Sequence, residues 1–240
     1  MTEIASYTSS LARSRASQAN ENRPDVFAMA GREWDLLDGV FAPVHSPTTG
    51  VAMELLGLPG ARDPDPVFRA DGTFLEIGAG TGVIAVSAAL AGCPRVVATD
   101  INALAVRNTA MNAERHGVAD RLVSLHGDLF DAVGEGERFD TVYWHSNYVL
   151  APAEYEYQAD HERAYVDPGY GAHRRYLAEA PGLLTEGGTV LLQFSERGDL
   201  GLLLRLAEEY GRTLRPVRRR HLTEGDETVE LVLYEVIMKN

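Results

Sequence analysis

The chain has 240 residues, 45% hydrophobic and 24% charged, which is long enough for a buried core and excludes a disordered, collagen-like or coiled-coil chain. Its formal net charge of −13 disfavours a broad nucleic-acid footprint, and its single cysteine, Cys93, excludes an internal disulfide or a multi-cysteine zinc site. No apolar stretch approaches signal-peptide or membrane-span length, so a cytoplasmic protein is expected, with no membrane contact and no metal.

In chain order, residues 2–22 are polar, with Ile4, Tyr7 and Leu11 at helical spacing, and predict a helix or a mobile lid. Asp38-Gly39, between two short apolar runs, predicts a hairpin within 32–43. A helix is expected from Pro47-Thr48-Thr49 through Leu56, then a Pro/Gly/Asp loop over 58–66. From Thr73 the pattern alternates. Strands are expected at 73–77, 95–100, 121–128, 139–145 and 189–194, with helices at 83–91, 103–116, 176–184 and 200–210. Two final strands, 213–221 and 227–237, flank a turn at Glu224-Gly225-Asp226. Short, nearly all-apolar strands alternating with helices predict a doubly wound α/β sheet covered on both faces. Residues 1–66 read as an N-terminal extension and 67–240 as the main domain.

The strongest motif is FLEIGAGTGVIAVSAA, residues 74–89. Gly78, Gly80 and Gly82 turn a strand ending at Glu76 into a helix. The spacing is G-x-G-x-G, one residue shorter than a dinucleotide loop, with Val at position 83. A shorter loop suits an uncharged thioether and amino-acid tail better than a pyrophosphate. The next strand ends in Asp100, placed to accept from ribose hydroxyls, with Ile101 beside it. The third ends in Gly127-Asp128-Leu129, where Asp128 suits an adenine amino group, the Leu129 amide a ring nitrogen, and Phe130 an apolar wall. Glu76, Asp100, Asp128 and His145 all end strands, as one cofactor crevice requires.

These residues resemble the class I S-adenosylmethionine-dependent methyltransferases, most closely the protein-glutamine methyltransferases and their adenine N-methylating relatives. FAPVHSPTT (41–49), DINALAVRNTAMN (100–112), GDLFDAV (127–133) and GAHRRYLAEAPGLLTEGGTVLLQF (171–194) are similar to successive motifs of that branch. The resemblance implies a seven-stranded Rossmann-like sheet whose last strand pair is antiparallel. It implies S-adenosylmethionine held by Glu76, Gly78, Ala79, Gly80, Gly82, Asp100, Ile101, Asp128, Leu129 and His145. The departure is at the acceptor: the family's Asn-Pro-Pro-Tyr is His145-Ser146-Asn147-Tyr148 here, and no large N-terminal docking domain is evident.

His145 is the candidate base and Tyr148 its orienter. Segment 150–170 interleaves tyrosines with carboxylates, so Tyr148, Glu154, Tyr155, Glu156, Tyr157 and, from the upstream motif, Thr48 are expected on the acceptor. A cationic acceptor follows from those carboxylates. The arginines between Arg212 and Arg220 read as charge protection of an edge strand or a clamp for an acid. Trp34 and Trp144 read as packing residues, and Cys93 as inert. The expected activity is methyl transfer to a small molecule or peptide, at nitrogen, in natural-product biosynthesis. A protein-amide methyltransferase and a catalytically silent scaffold are the alternatives.

Overall fold

The computed structural model describes residues 6–62, 64–224 and 227–239. The predicted turn at 225–226 and the residues before Ser6 lie outside them. In chain order the elements are α1 Tyr7–Gln18, β1 Val26–Met29, β2 Arg32–Asp35, α2 Thr48–Leu56, β3 Thr73–Ile77, α3 Val83–Ala91, β4 Arg95–Asp100, α4 Ala103–Arg115, β5 Leu122–His126 and β6 Phe139–His145. They continue with β7 Leu150–Ala151, β8 Asp167–Pro168, α5 Gly171–Glu179, β9 Leu184–Ser195, α6 Leu200–Glu209, β10 Arg212–Glu224 and β11 Glu227–Met238.

The main sheet has seven strands in the order β10-β11-β9-β6-β3-β4-β5. β11 runs antiparallel to both β9 and β10, and the other pairings are parallel. This is the expected doubly wound sheet with an antiparallel end. Strand period 2 sorts the side chains into two cores. Phe74, Val96, Tyr143, Leu191 and Leu233 join α2 and α3 on one face. Leu75, Val97, Trp144, Leu192 and Tyr234 join α5 and α6 on the other. Each such fully buried side chain contributes about 1.5–3 kcal/mol, so both faces must be covered for the sheet to persist. No helix of the described residues is long and apolar enough to cross a membrane.

Two expectations fail locally. The hairpin is β1–β2, turning at Ala30-Gly31, whereas Asp38-Gly39 forms an isolated turn. Pairing Phe27 with Trp34 buries both rings, while the run after Gly39 meets Pro43 and enters a 3-10 turn before it can form a strand. The helix expected at 176–184 begins at Gly171, because the Asp167 carboxylate accepts from the amides of Ala172 and His173 and so caps it. It stops at Glu179, where a 3-10 turn carrying Pro181 leads into β9.

The Arg212–Arg220 cluster lies on edge strand β10 and pairs across and below it. Arg215 binds Glu235, Arg219 binds Glu230 at 2.7 Å and Arg220 binds Glu54 at 3.3 Å. Trp34 is fully buried and donates to the Met29 carbonyl at 3.0 Å. Cys93 is buried, and burial pushes its thiol up to about 12, so it is inert.

Candidate active site

One crevice of about 620 Å³ opens along the carboxyl ends of β3, β4 and β6. That is the size of a site for a small molecule or cofactor. Its floor is the glycine loop. Gly78, Gly80 and Gly82 have φ of 67°, 58° and 80°, in the left-handed region that glycine alone enters freely. Gly80 has open space on its Cβ side, facing the crevice. Gly82 has none: a Cβ there meets Thr109 of α4 at 2.9 Å. Gly82 does not line the crevice, so its role is close packing between α3 and α4 rather than ligand contact.

The loop amides are already used. Those of Gly78 and Ala79 donate to the Thr99 carbonyl at 2.8 and 3.1 Å, that of Gly80 to the Asp100 carboxylate at 2.8 Å, and that of Gly82 to the Ala79 carbonyl at 2.8 Å. A pyrophosphate needs such amides free. An uncharged tail does not. Asp100 also accepts from the Asn102 amide at 2.8 Å, so one carboxylate braces the loop and the start of α4 while keeping lone pairs for ribose hydroxyls. Burial raises its pKa against the pull of those two bonds. Glu76 lies below, only 2% exposed, with Oε2 buried and lacking a partner. Burial, with the Asp100 charge, holds its carboxyl well above the usual range. A hydrogen-bond donor on a ligand is what would satisfy that orphaned oxygen. Leu129 has a φ of 52°, rare for a side-chain-bearing residue, and its carbonyl accepts from the Thr99 hydroxyl at 2.8 Å. This pins the Asp128–Leu129 corner at the crevice edge, with Ile101 lining beside it. Phe130 stacks on Tyr176, away from the crevice.

The acceptor end joins distant segments. Phe41 and His45 come from the stretch before α2, Thr48 from its first turn, and Arg13, Ala16 and Ser17 from α1. His145 ends β6, Asn147 and Tyr148 follow it, and Tyr157, His161, Arg163 and Tyr165 form a roof. α1 docks on that roof through Ser14, whose hydroxyl lies 2.8 Å from His161 Nδ1, and through the buried Leu11. Thr48, Tyr148 and Tyr157 therefore face the crevice as expected. Glu154, Tyr155 and Glu156 do not line it. Both glutamates are exposed, and Tyr155 packs on Tyr7 and donates to Glu162 at 2.8 Å. That exposed turn keeps its carboxylates in water, which removes the ground for a cationic acceptor there.

His145, paired with Gln193 in the β6–β9 ladder, lines the crevice. Burial alone lowers its pKa to about 4. The expectation of a base acting near neutrality meets that obstacle: the imidazole stays neutral and only weakly basic. Asn147 donates to the Arg163 and Val166 carbonyls at 2.7 and 2.8 Å, so it clamps the roof to β6.

Sequence reading missed a second brace. On α4, Asn108 and Asn112 are fully buried. Asn108 accepts from the Leu37 amide and donates to the Asp35 carbonyl, and Asn112 accepts from the Asp35 amide and donates to Asp35 and Thr81 carbonyls. Two asparagines four apart on an otherwise apolar helix face were the available signal.

Fold and crevice together are similar to those of the class I S-adenosylmethionine-dependent methyltransferases, whose cofactor is S-adenosylmethionine. Residues 45–147 match the sequence model of the family Ribosomal protein L11 methyltransferase (PrmA). The chain is 49% identical over 65 residues to the ribosomal protein L11 methyltransferase of Pelotomaculum thermopropionicum, covering 27% of this chain and 21% of that one. It is 33% identical over 133 residues to the release factor glutamine methyltransferase of Bordetella pertussis, covering 52% and 48%. The chain thus spans about half or less of the length of these curated relatives. A ribosomal protein L11 methylase from Lactobacillus delbrueckii subsp. bulgaricus shares the fold, with a TM-score of 0.52 at 16% identity over 80% of each chain. The resemblance to the glutamine-modifying branch holds, and L11-type enzymes join it.

Proposed function

We propose that the protein transfers the methyl group of S-adenosylmethionine to a nitrogen of a small molecule or short peptide. The observation that supports this is the roof: α1 and residues 157–165 close the acceptor end of the crevice, leaving room for a compact group. The cofactor supplies an activated sulfonium methyl, so the protein's task is proximity and alignment. Glu76 would face the cationic part of the cofactor, Asp100 its ribose, and Asp128 with Leu129 its adenine. His145, as a neutral imidazole, would accept a hydrogen bond from the acceptor N–H and so aim the lone pair, with Tyr148 beside it. Thr48 and Tyr157 would complete the acceptor wall. Cytoplasmic natural-product biosynthesis suits such a substrate.

A second reading, methylation of a protein side chain, is favoured by the names of the relatives. Calorimetric titration with S-adenosylmethionine and NAD, followed by release of S-adenosylhomocysteine across small amines, amides, amino acids and purified ribosomal proteins, separates the readings. The expected result is binding of S-adenosylmethionine over NAD and turnover confined to small acceptors. Preferential NAD binding, or turnover of a ribosomal protein alone, would overturn it.

A further inference from the structure

The crevice is split by charge. Its cofactor half carries three carboxylates, Glu76, Asp100 and Asp128. Its roofed half carries two guanidiniums, Arg13 and Arg163, against one lining acid, Asp160. Asp160 is 4.0 Å from Arg163 with its side chain 71% exposed, so water screens most of that pairing. Glu162, in the same segment, is turned to the Tyr155 hydroxyl and the Gln158 amide. In a chain with net charge −13, a positive pole inside the main crevice is a local arrangement and not a bulk trend.

The arginines there hold unused donors. The Arg163 guanidinium lies 4.4 Å over the Tyr157 ring, which fixes its plane, and its Nε, the atom 4.0 Å from Asp160, is buried with no hydrogen-bond partner. Behind the wall, Arg23 has a side chain 7% exposed. Its Nη2 donates to the Leu37 and Val40 carbonyls, while Nε and Nη1 are buried with no partner. Its nearest carboxylate, Asp38, is 3.8 Å away and fully exposed. Buried guanidinium N–H groups without acceptors are costly, and an anion in the crevice would supply the hydrogen-bond acceptor that Arg163 Nε lacks. The field of Arg23 is felt at His161, whose pKa falls to about 4 through burial and then that charge. Beside these groups, the Phe41 and Tyr165 rings tilt together at 5.5 Å, an apolar wall for a flat substituent.

We infer that the methyl acceptor carries an oxyanion, carboxylate or phosphate, bound by Arg163 and Arg13 beneath the roof, with Arg23 sustaining the positive potential behind them. This rests on the methyl-transfer reading and names its substrate class. Arg163 and Arg13 contact the anion, and Arg23 acts through the field.

The test uses the full chain, with and without S-adenosylhomocysteine, titrated with four probes of one shape: benzoate, phenyl phosphate, benzamide and benzylamine. Binding is read by chemical shift or by intrinsic fluorescence. At least tenfold tighter binding of an anion than of benzamide or benzylamine is expected. Benzoate against phenyl phosphate tells which oxyanion is preferred. Arg163→Gln should remove most of that preference, Arg13→Gln a smaller share, and added salt should shrink it. Equal or tighter binding of benzylamine or benzamide, no binding by any of the four, or an intact preference in Arg163→Gln overturns the inference. If S-adenosylhomocysteine fails to bind while the anion preference persists, the methyl-transfer reading falls and the anion site stands.

Discussion

The two halves of the crevice treat protons oppositely. In the cofactor half, burial raises the carboxyls of Glu76 and Asp100, so the folded protein holds their protons more tightly than the unfolded chain does. In the acceptor half, burial lowers His145 and His161 to about 4, so the folded protein refuses protons that the unfolded chain accepts. One half waits for a cation and the other for a group that tolerates neutral imidazoles and guanidiniums. A cleft of one sign throughout would hold cofactor and acceptor less selectively.

The largest expected effect breaks the comparison by acid. A histidine lowered from 6.5 to about 4 adds stability that is complete at neutral pH and lost as pH falls through that window. The loss is about 3 kcal/mol for each histidine, and the two raised carboxyls act in the opposite sense, gaining as pH falls. Urea unfolding between pH 7 and 4.5 should show it, and the paired variant His145→Asn, His161→Gln should remove the histidine loss and leave the carboxyls' opposite slope, so it gains stability relative to wild type as pH falls. A paired variant whose stability follows pH just as wild type does would remove the contrast.

Asp100→Ala is next. It deletes the proposed ribose acceptor and frees the Gly80 and Asn102 amides. Two charged hydrogen bonds at about 1.5 kcal/mol each predict roughly a hundredfold weaker cofactor binding by calorimetry. His145→Ala should lower turnover some tens of times, with cofactor affinity unchanged. His145→Asn should restore part of it if orientation is the imidazole's task, since an amide aims a lone pair but is no base. Glu76→Gln should weaken the cofactor about tenfold, because it removes the carboxylate proposed to face the cofactor's cationic part. The smallest effect sharpens the boundary: Glu154→Gln and Glu156→Gln, exposed outside the crevice, should change the Michaelis constant less than about twofold.

The same division explains what could be read beforehand. The cofactor half comes from one unbroken stretch, 73–130, where each strand, turn and helix carries its own local signal. The glycine loop, Asp100 and Asp128 were therefore visible. The acceptor half joins residues 13–20, 41–49 and 145–165, whose mutual placement is tertiary. Nothing local distinguishes Tyr157, which faces in, from Tyr155, which packs on Tyr7. His161 and Arg163 went unnoticed because their roles arise only when α1 lies across them. The misplaced hairpin has the same origin: Asp38-Gly39 is the better turn by propensity, but burial of Phe27 and Trp34 decides the register.

The asparagine pair on α4 has a consequence for motion. Through Asn108 and Asn112, hairpin strand β2, helix α4 and the glycine loop at Thr81 share one set of hydrogen bonds across more than seventy residues of chain. Peeling the hairpin away leaves buried amide side chains unsatisfied next to the cofactor loop, so these pieces open as a single cooperative unit. The amides of Asp35 and Leu37 should then exchange with solvent deuterium at the same slow rate as those of β3 and β4, and Asn112→Ala should speed all of them together. The rigidity of the loop under the cofactor is thus set from the outer surface of the protein, by a short ribbon that never touches the ligand.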